Sequence, residues 1–250
     1  VAEQGAVGAT AGLTQTSTAI SGLLTVLSAY DLEASESVRI NDLMFRVVDK
    51  SRASYGQLAQ EMGFFVGIAR NANLALEETF ATFSLLTRVV RPEQAGILTA
   101  RLIEAITVPA KEAENMMRAF DILPFRFDEL GNRIFIGMEN FFLRLTEMNL
   151  PTQVLRAMFP DERQFRAITS IISQGVENIR EMFASFTDTT GASREAMEKM
   201  MNTLPNIFKM IWENLKDAGV LLVKPFLEGF RTIAKKARDF VLNLMKLFLI

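Results

Sequence analysis

Residues 55–69 read YGQLAQEMGFFVGIA, and the spacing of their apolar side chains decides the fold class of the chain. Steps of three and four residues place one set of these side chains on a single stripe of a helix, namely Tyr55, Leu58, Met62, Phe65, Val66 and Ala69. The same spacing recurs in Leu76, Phe80, Phe83 and Leu86. Because Pro92 disfavours helical geometry in the residue before it, we expect the second helix to end near Arg91. The stretch therefore predicts two consecutive amphipathic helices.

Two further prolines divide the chain that follows. Pro92 and Pro109 can each open a helix in its first turn, where the missing N–H is not needed. Apolar residues at helical spacing line the two predicted helices: Ala95, Leu98, Leu102 and Ile106 in the first, and Ala113, Met116, Met117 and Phe120 in the second. Residues 123–136 interrupt the helical rhythm, because Phe125 and Phe127 alternate with polar residues and residues 128–132 read as a turn. A small β-hairpin or an ordered loop fits this segment.

The C-terminal part shows a longer apolar stripe. Its members follow steps of 4, 4, 3, 4 and 3 residues, close to a coiled-coil seam: Ile168, Ile172, Val176, Ile179, Phe183 and Phe186. Ser193 is a suitable N-cap for a helix from about Arg194 to Lys216. Residues 219–250 are the most apolar, but charged residues and Pro225 interrupt them before about 18 apolar residues accumulate, the length that a membrane-spanning helix needs.

These patterns predict an all-α, mainly helical fold: a multi-helix bundle with a small loop or hairpin near 123–136 and long helices in the C-terminal half. We divide the chain into a small-residue N-terminal segment (1–34), a helical core region (35–190) and C-terminal apolar helices (191–250). In the first segment Leu23, Leu24, Val26 and Leu27 can anchor a helix, although its glycines and threonines oppose one. Since Val1 is not an initiator methionine and the final apolar run stops in mid-pattern, we expect an excerpt or processed product of a longer chain.

The composition argues against most enzymatic chemistry. The chain has no cysteine and no histidine, so disulfides, thiolate or imidazole metal sites and every Ser–His or Cys–His catalytic pair are excluded. A formal net charge of −2 gives no basic field for a polyanion, which argues against sequence-specific nucleic-acid binding. No glycine-rich phosphate loop and no calcium loop is present. We expect a protein that is not an enzyme and has no catalytic residue, cofactor or metal.

Acidic pairs offer the one remaining route to catalysis. Glu77 and Glu78 are neighbours on a predicted helix, so they do not face each other as a glycosidase pair must. We interpret them, like Asp161 and Glu162, as solvated acids at helix starts, which the helix dipole favours. A peptidoglycan hydrolase that uses Glu77, Glu78 or Glu139 is the weakest alternative function.

Association explains the composition better, because 13 methionines and 20 phenylalanines favour adaptable apolar contacts. The candidate self-association or partner face comprises Ile168, Ile172, Val176, Ile179, Phe183, Phe186, Phe226, Phe230, Phe240 and Leu244. Lys235, Lys236 and Arg238 form a candidate lipid-contact group, although a solvated helix face is the more common reason for such a group. A membrane-active helical protein that acts in envelope penetration is therefore the first alternative function.

A family resemblance goes further than these patterns. The segments LEET (76–79) to LLT (85–87) and EQAG (93–96) with Leu102, then Pro109 with Glu112 and Ala113, resemble the core region of phage tail tape measure proteins. The order continues with residues 122–131, with Phe159–Pro160 before Arg166–Ala167–Ile168, and with residues 191–204. Two places depart from the family pattern: Phe120–Asp121 stands where Leu-Gly is usual, and Pro160 replaces a glycine. The resemblance covers roughly residues 25–230.

The resemblance implies a structural protein of the virion, in the tail lumen or at the tail tip, that is assembled in the host cytoplasm. Such a protein sets tail length during assembly and leaves ahead of the DNA during genome ejection. The implied partners are copies of itself, with a trimer as one arrangement, the tail tube protein, tail tip or baseplate hub proteins, tail assembly chaperones and the host membrane at ejection. A fully helical chain of 250 residues spans only about 375 Å, so we expect one folded region of a longer ruler.

Overall fold

The chain divides into two compact units, Val1–Lys199 and Met200–Ile250. The computed structural model describes residues 1–127, 129–130, 133–203, 235–236 and 238–239. The first unit takes in both the predicted segment 1–34 and the predicted core 35–190. In the second unit the described residues, 200–203, 235–236 and 238–239, are helical.

The structure confirms a mainly α-helical chain. Among the described residues, seven helices precede the hairpin: α1 (Ala2–Ala11), α2 (Thr16–Ala29), α3 (Ser37–Lys50), α4 (Tyr55–Asn71), α5 (Leu76–Thr87), α6 (Pro92–Thr107) and α7 (Lys111–Ala119). A short 3₁₀ turn, Ala34–Glu36, leads into α3. The hairpin pairs strand β1 (Phe125–Phe127) with strand β2 (Arg133–Phe135) in antiparallel register, with Phe125 opposite Phe135. The predicted interruption at 123–136 is thus a β-hairpin.

From the hairpin to residue 185, no described helix reaches the 14 to 17 residues of α2, α3, α4 and α6. The helices in this range are α8 (Met138–Met148), α9 (Thr152–Met158), α10 (Glu162–Ile172) and α11 (Val176–Ser185), and residues 192–203 are helical as well. The prediction of long helices in the C-terminal half is wrong for residues 138–185, where these helices have 7 to 11 residues. Pro151, Pro160 and Gly175 end or separate them, because proline cannot continue a helix and Gly175 adopts a φ of +82°.

Three predicted boundaries need correction. Helix α5 ends at Thr87 rather than near Arg91, because Arg91 must be extended before Pro92 and residues 88–90 close a turn onto the carbonyls of Leu85 and Leu86. Pro92 does open α6, but Pro109 lies two residues before α7, whose N-cap is Ala110. The helix predicted to start at Arg194 begins at residue 192, so Ser193 lies inside it; residues 204–216 of that prediction lie outside the described residues.

Close backbone approach packs the small-residue helices α1 and α2 onto α4. A Cβ added to Gly22 in α2 would lie only 2.8 Å from the Cβ of Ala59 in α4, and one added to Gly8 in α1 would lie 2.6 Å from the Tyr55 hydroxyl. Glycine is therefore required at these positions for space. The segment whose composition opposed a helix forms two tightly packed ones.

A buried polar network joins the same helices. The Tyr55 hydroxyl donates to Oδ1 of Asn41 at 2.7 Å, and Nδ2 of Asn41 donates to Oε1 of Gln4 at 3.0 Å. These residues lie in α4, α3 and α1, and all three are less than 9% exposed. Burial raises the pKa of the Tyr55 hydroxyl, which stays protonated as a donor. The network fixes the register of three helices at one point.

Helix α5 lies at the centre of the first unit. It contacts α3, α4, α6, α8, α10 and α11, and its residues from Thr79 to Thr87 are all buried. Helices α4 and α6 run in the same direction on one side of it, because Gln57 contacts Glu93 and Glu61 contacts Gly96. The buried hydroxyls of Thr79, Thr82 and Thr87 donate to carbonyls of α5 or its N-cap at 2.8 Å, so they need no partner from another element.

Phenylalanine rings fill the space on the other side. Phe141 and Phe142 in α8 are fully buried, and Phe142 lies 6.1 Å from the Phe183 ring of α11. Phe141 lies 6.5 Å from Phe159. Aromatic rings are therefore prominent in the core between α5 and the shorter helices.

Candidate interaction surfaces and buried carboxylates

The structure divides the predicted apolar stripe between two helices. Ile168 and Ile172 belong to α10, whereas Val176, Ile179 and Phe183 belong to α11. Ile168, Ile179, Phe183 and Phe186 are buried in the core of this chain, and Ile172 and Val176 are half-buried. A continuous coiled-coil seam is therefore wrong for this stripe, because Gly175 redirects the chain between the helices. Phe226, Phe230, Phe240 and Leu244 lie outside the described residues.

The basic group is exposed. Lys235, Lys236 and Arg238 are helical and solvent-accessible, and the Arg238 guanidinium lies 3.5 Å from the carboxylate of Asp239. Within the part of the chain that the structure describes, no helix is long and apolar enough to cross a membrane. The lipid-contact hypothesis thus stays a prediction.

The acidic pair at the start of α5 separates into two roles. Glu77 forms an ion pair with Arg39 of α3 at 2.8 Å near the surface. Oε1 of Glu78 instead accepts the backbone N–H of Met138 at 3.1 Å, so Glu78 caps α8 from another helix. Burial raises the pKa of Glu78, and the nearby Glu139 and Glu77 carboxylates raise it further, while the Met138 N–H opposes the shift. The prediction of a solvated acid is wrong for Glu78.

Glu78 and Glu139 therefore meet at one helix N-terminus. Glu139 lies in the first turn of α8, beside the N–H group that Glu78 caps. Carboxylates at this position stabilise the helix end through the dipole, and one of them is already engaged by the backbone. Among the described residues, no group of three or more acidic side chains could hold a metal ion.

Asp42 is a second carboxylate that caps another helix, and the sequence patterns did not predict it. Asp42 of α3 is 5% exposed, and its carboxylate accepts the N–H groups of Gly191 and Ser193, both at 2.9 Å, at the start of the helix that begins at residue 192. The Ser193 hydroxyl donates to the same carboxylate at 2.5 Å. The predicted N-cap Ser193 therefore does not cap this helix. Its N–H and hydroxyl groups donate to Asp42, which does. The partners are 149 and 151 residues apart in sequence, so no local spacing reveals them.

Glu61 is a buried carboxylate with an oxygen that has no hydrogen-bond partner. The residue is 8% exposed, its Oε2 lacks a donor, and a Cβ on Gly96 of α6 would lie 2.8 Å from that oxygen. Burial raises the pKa of Glu61, and the Glu93 carboxylate raises it further. The contact between α4 and α6 therefore favours the protonated form of Glu61.

Along most of its length the outer surface of α2 and α4 carries no charge, although Arg70 in the last turn of α4 is exposed. No charged residue occurs from Gln4 to Tyr30, and the single charged residue between Tyr55 and Ala69 is the inward-facing Glu61. Leu24 and Phe64 are 49% and 53% exposed on this surface. A Cβ on Gly63 or Gly67 would meet nothing within 4 Å, so packing inside the chain does not require these two glycines. We call this surface the α2–α4 face. The sequence marks it by the run without charged residues from Gln4 to Tyr30, but composition alone does not show that this run lies at the surface.

Comparison with known proteins gives one family and two relatives. The family model described as phage-related minor tail protein matches residues 1–240. The chain is 23% identical over 201 residues to the tape measure protein of Pneumococcus phage Dp-1, which covers 78% of this chain and 17% of that protein. It is 20% identical over 229 residues to the probable tape measure protein of Escherichia phage P2, which covers 89% of this chain and 28% of that protein. No solved structure matches the chain. The matches confirm the family resemblance, and the chain spans less than a third of either relative.

Proposed function

Because this chain belongs to the phage-related minor tail protein family, we propose that it is a folded region of a tape measure protein with a structural, non-enzymatic role. In this proposal the parent protein sets tail length during assembly in the host cytoplasm and leaves the particle ahead of the DNA. The observation that carries the proposal is the match of most of the chain to two tape measure proteins. The contacts of Glu78 and Asp42 support a structural role, because these carboxylates cap helices.

Deletion of the first unit from the parent gene tests the proposal. A compact unit of 199 residues has a radius of gyration of about 16 Å and a diameter of about 40 Å. The same residues drawn out as one helix span about 300 Å. If the unit keeps its fold inside the tail, in-frame deletion of residues 1–199 shortens the tail by about 40 Å in electron micrographs, and an in-frame duplication lengthens it by a similar amount. Unchanged tail length in both variants contradicts the ruler function.

We also propose that copies of the chain associate through the α2–α4 face. Helices of 14 and 17 residues are about 21 and 25 Å long and lie about 10 Å apart, which gives a face of roughly 500 Å². That is below the ~800 Å² per partner of a stable interface, and the neighbouring outer surface of α6 adds Ile97, which is 37% exposed, together with the ion pair of Arg101 and Glu104. The part of this face between Leu24 and Phe64 fits a second copy of itself, since no charged side chain lies among its exposed residues until Arg70 at the end of α4.

Sedimentation of the chain and two variants tests this association. Phe64→Asp puts a charge in the centre of the face and should shift the chain to monomers, whereas the control Val108→Asp, at a residue 77% exposed outside the face, should not. The sedimenting mass distinguishes dimers from trimers. A monomeric unsubstituted chain, or equal masses for the unsubstituted chain and Phe64→Asp, contradicts the proposal.

A further inference from the structure

Residues 187–199 are attached to the first unit differently from the helices before them. Helix α11 and the residue after it bury large side chains in the core, including Ile179, Met182, Phe183 and Phe186. In residues 187–199 the buried side chains are those of Thr189, Ala192 and Ser193; Ala196 is partly buried against the core, and Met197 is half-buried. Small side chains remove little apolar surface from water, so apolar burial holds this segment weakly.

Polar contacts with α3 supply most of the attachment. The Asp42 carboxylate accepts three hydrogen bonds from Gly191 and Ser193, at 2.5 to 2.9 Å. One turn further along α3, the Arg46 guanidinium donates to the carbonyl oxygen of Asp188 at 3.4 Å. This hydrogen bond is longer than those to Asp42, and Asp188 is exposed. Gly191 adopts a φ of +80° with open space around it, so the backbone there is shaped for its turn and not for packing.

The chemistry of the Asp42 contact makes its loss costly while the segment stays docked. The N–H groups at the start of a helix have no partner within that helix, and a buried carboxylate that accepts two of them is stabilised by the helix dipole. Loss of the carboxylate leaves two N–H groups and a hydroxyl unpaired in a buried place, which is costly, and movement of the segment into water satisfies all three. Release is therefore the response that relieves the unpaired groups.

We propose that Asp42 is a latch, and that residues 187–199 form a releasable segment whose docking to the first unit depends on this carboxylate. On release, these 13 residues, of which 192–199 are helical when docked, become a tether that can extend to about 44 Å. The tether precedes residue 200, where the second unit begins. The proposal concerns local stability in this chain and holds whether or not the parent protein measures tail length.

Cysteine reporters test the latch in the full chain, which has no cysteine of its own. Ala192→Cys places a thiol in the docked segment at a residue 9% exposed, and Ala167→Cys places one in α10 at a residue 0% exposed. We expect Asp42→Asn to accelerate thiol labelling at position 192 by at least roughly tenfold and to leave labelling at position 167 unchanged. The control Glu104→Gln removes a surface acid of α6, which pairs with Arg101 and not with residues 187–199, and should change neither rate.

Hydrogen exchange of the cysteine-free variants distinguishes the latch from general support of the fold. Asp42→Asn should raise exchange in residues 187–199 and spare α10 and α11, and Ser193→Ala, which removes one of the three donors, should give a smaller rise in the same residues. Equal exchange in residues 187–199 with and without Asp42 overturns the proposal. So does a uniform rise over the whole first unit in Ser193→Ala, a variant mild enough to fold even if the Asp42 variant does not.

Discussion

Two parts of the first unit reach full burial by opposite means. Where α1 and α2 meet α4, glycines let backbone and side chain approach to distances that a Cβ would block. Between α5 and helices α8 and α11, rings such as Phe142 and Phe183 occupy the space instead. An added methyl group should destabilise the glycine contacts, whereas removal of side-chain atoms should destabilise the contacts between rings. Substitutions of similar size therefore change the free energy of unfolding differently in the two parts.

The largest effect should come from removal of a ring. Phe142→Ala deletes a fully buried side chain between Phe141 and Phe183, and we expect the free energy of unfolding to fall by about 3–5 kcal/mol. Urea denaturation measures it. Val108→Ala, at a residue 77% exposed and outside the α2–α4 face, is the control and should cost less than about 0.5 kcal/mol. A similar loss in both variants contradicts an aromatic core.

The next effect compares one substitution at two glycines. In Gly22→Ala the new Cβ would lie 2.8 Å from Ala59, and we expect a net loss of about 1–2 kcal/mol after the gain in helix propensity. In Gly63→Ala the new Cβ meets open space, so the propensity gain of about 1 kcal/mol should appear as stabilisation. The denaturant midpoints of the two variants should move in opposite directions. Shifts of the same sign contradict the claim that Gly22 is required for space and Gly63 is not.

A smaller loss should follow removal of a cap in the aromatic part. Glu78→Ala leaves the Met138 N–H without an acceptor and should cost about 1 kcal/mol, with faster hydrogen exchange at the start of α8. Its neighbour supplies the control, since Glu77→Ala breaks only a surface ion pair with Arg39 and should cost less than about 0.5 kcal/mol. If the two variants are equally stable, Glu78 does not act as a cap.

The smallest effect should lie in the glycine-packed part and should depend on pH. Glu61 has a raised pKa, so its contribution to stability is fully present below the pKa of the unfolded chain and is lost as pH rises through the pKa of the folded one. Glu61→Gln changes the charge and keeps the volume, and should be more stable than the unsubstituted chain at neutral pH. Thermal melts from pH 4 to 8 measure this. A difference between the two chains that does not change with pH rules out the buried carboxylate as its cause.

The sequence predicted the elements whose cause is local. The apolar spacing of α4 and α5, Pro92 at the start of α6 and the turn composition within 123–136 act within a few residues, and the structure has helices and a hairpin there. The break between α10 and α11 was missed because the apolar spacing continues through it. Gly175 before Val176 was the available signal, since glycine commonly follows the end of a helix.

The features of the candidate sites depend on distant residues and could not be predicted in this way. Asp42 caps a helix start about 150 residues away, and Glu78 caps one 60 residues away. Composition makes Gly22 and Gly63 look alike, and only their neighbours in space separate a required glycine from a free one. The spacing of the stripe from Ile168 to Phe186 predicts that these side chains are buried. It does not distinguish burial within this chain, which the structure shows for most of them, from burial against a second copy.

The central position of α5 has a consequence for synthesis of the protein. Helix α5 ends at Thr87, but α11, which covers part of it, ends at Ser185, about 100 residues later. At about 5–20 residues per second, the ribosome needs roughly 5–20 s to make the residues between them. During that time an apolar surface of the nascent chain has no cover of its own, so aggregation or a co-translational binding partner competes for it. The most buried helix of the finished fold is thus among the most vulnerable in the growing one.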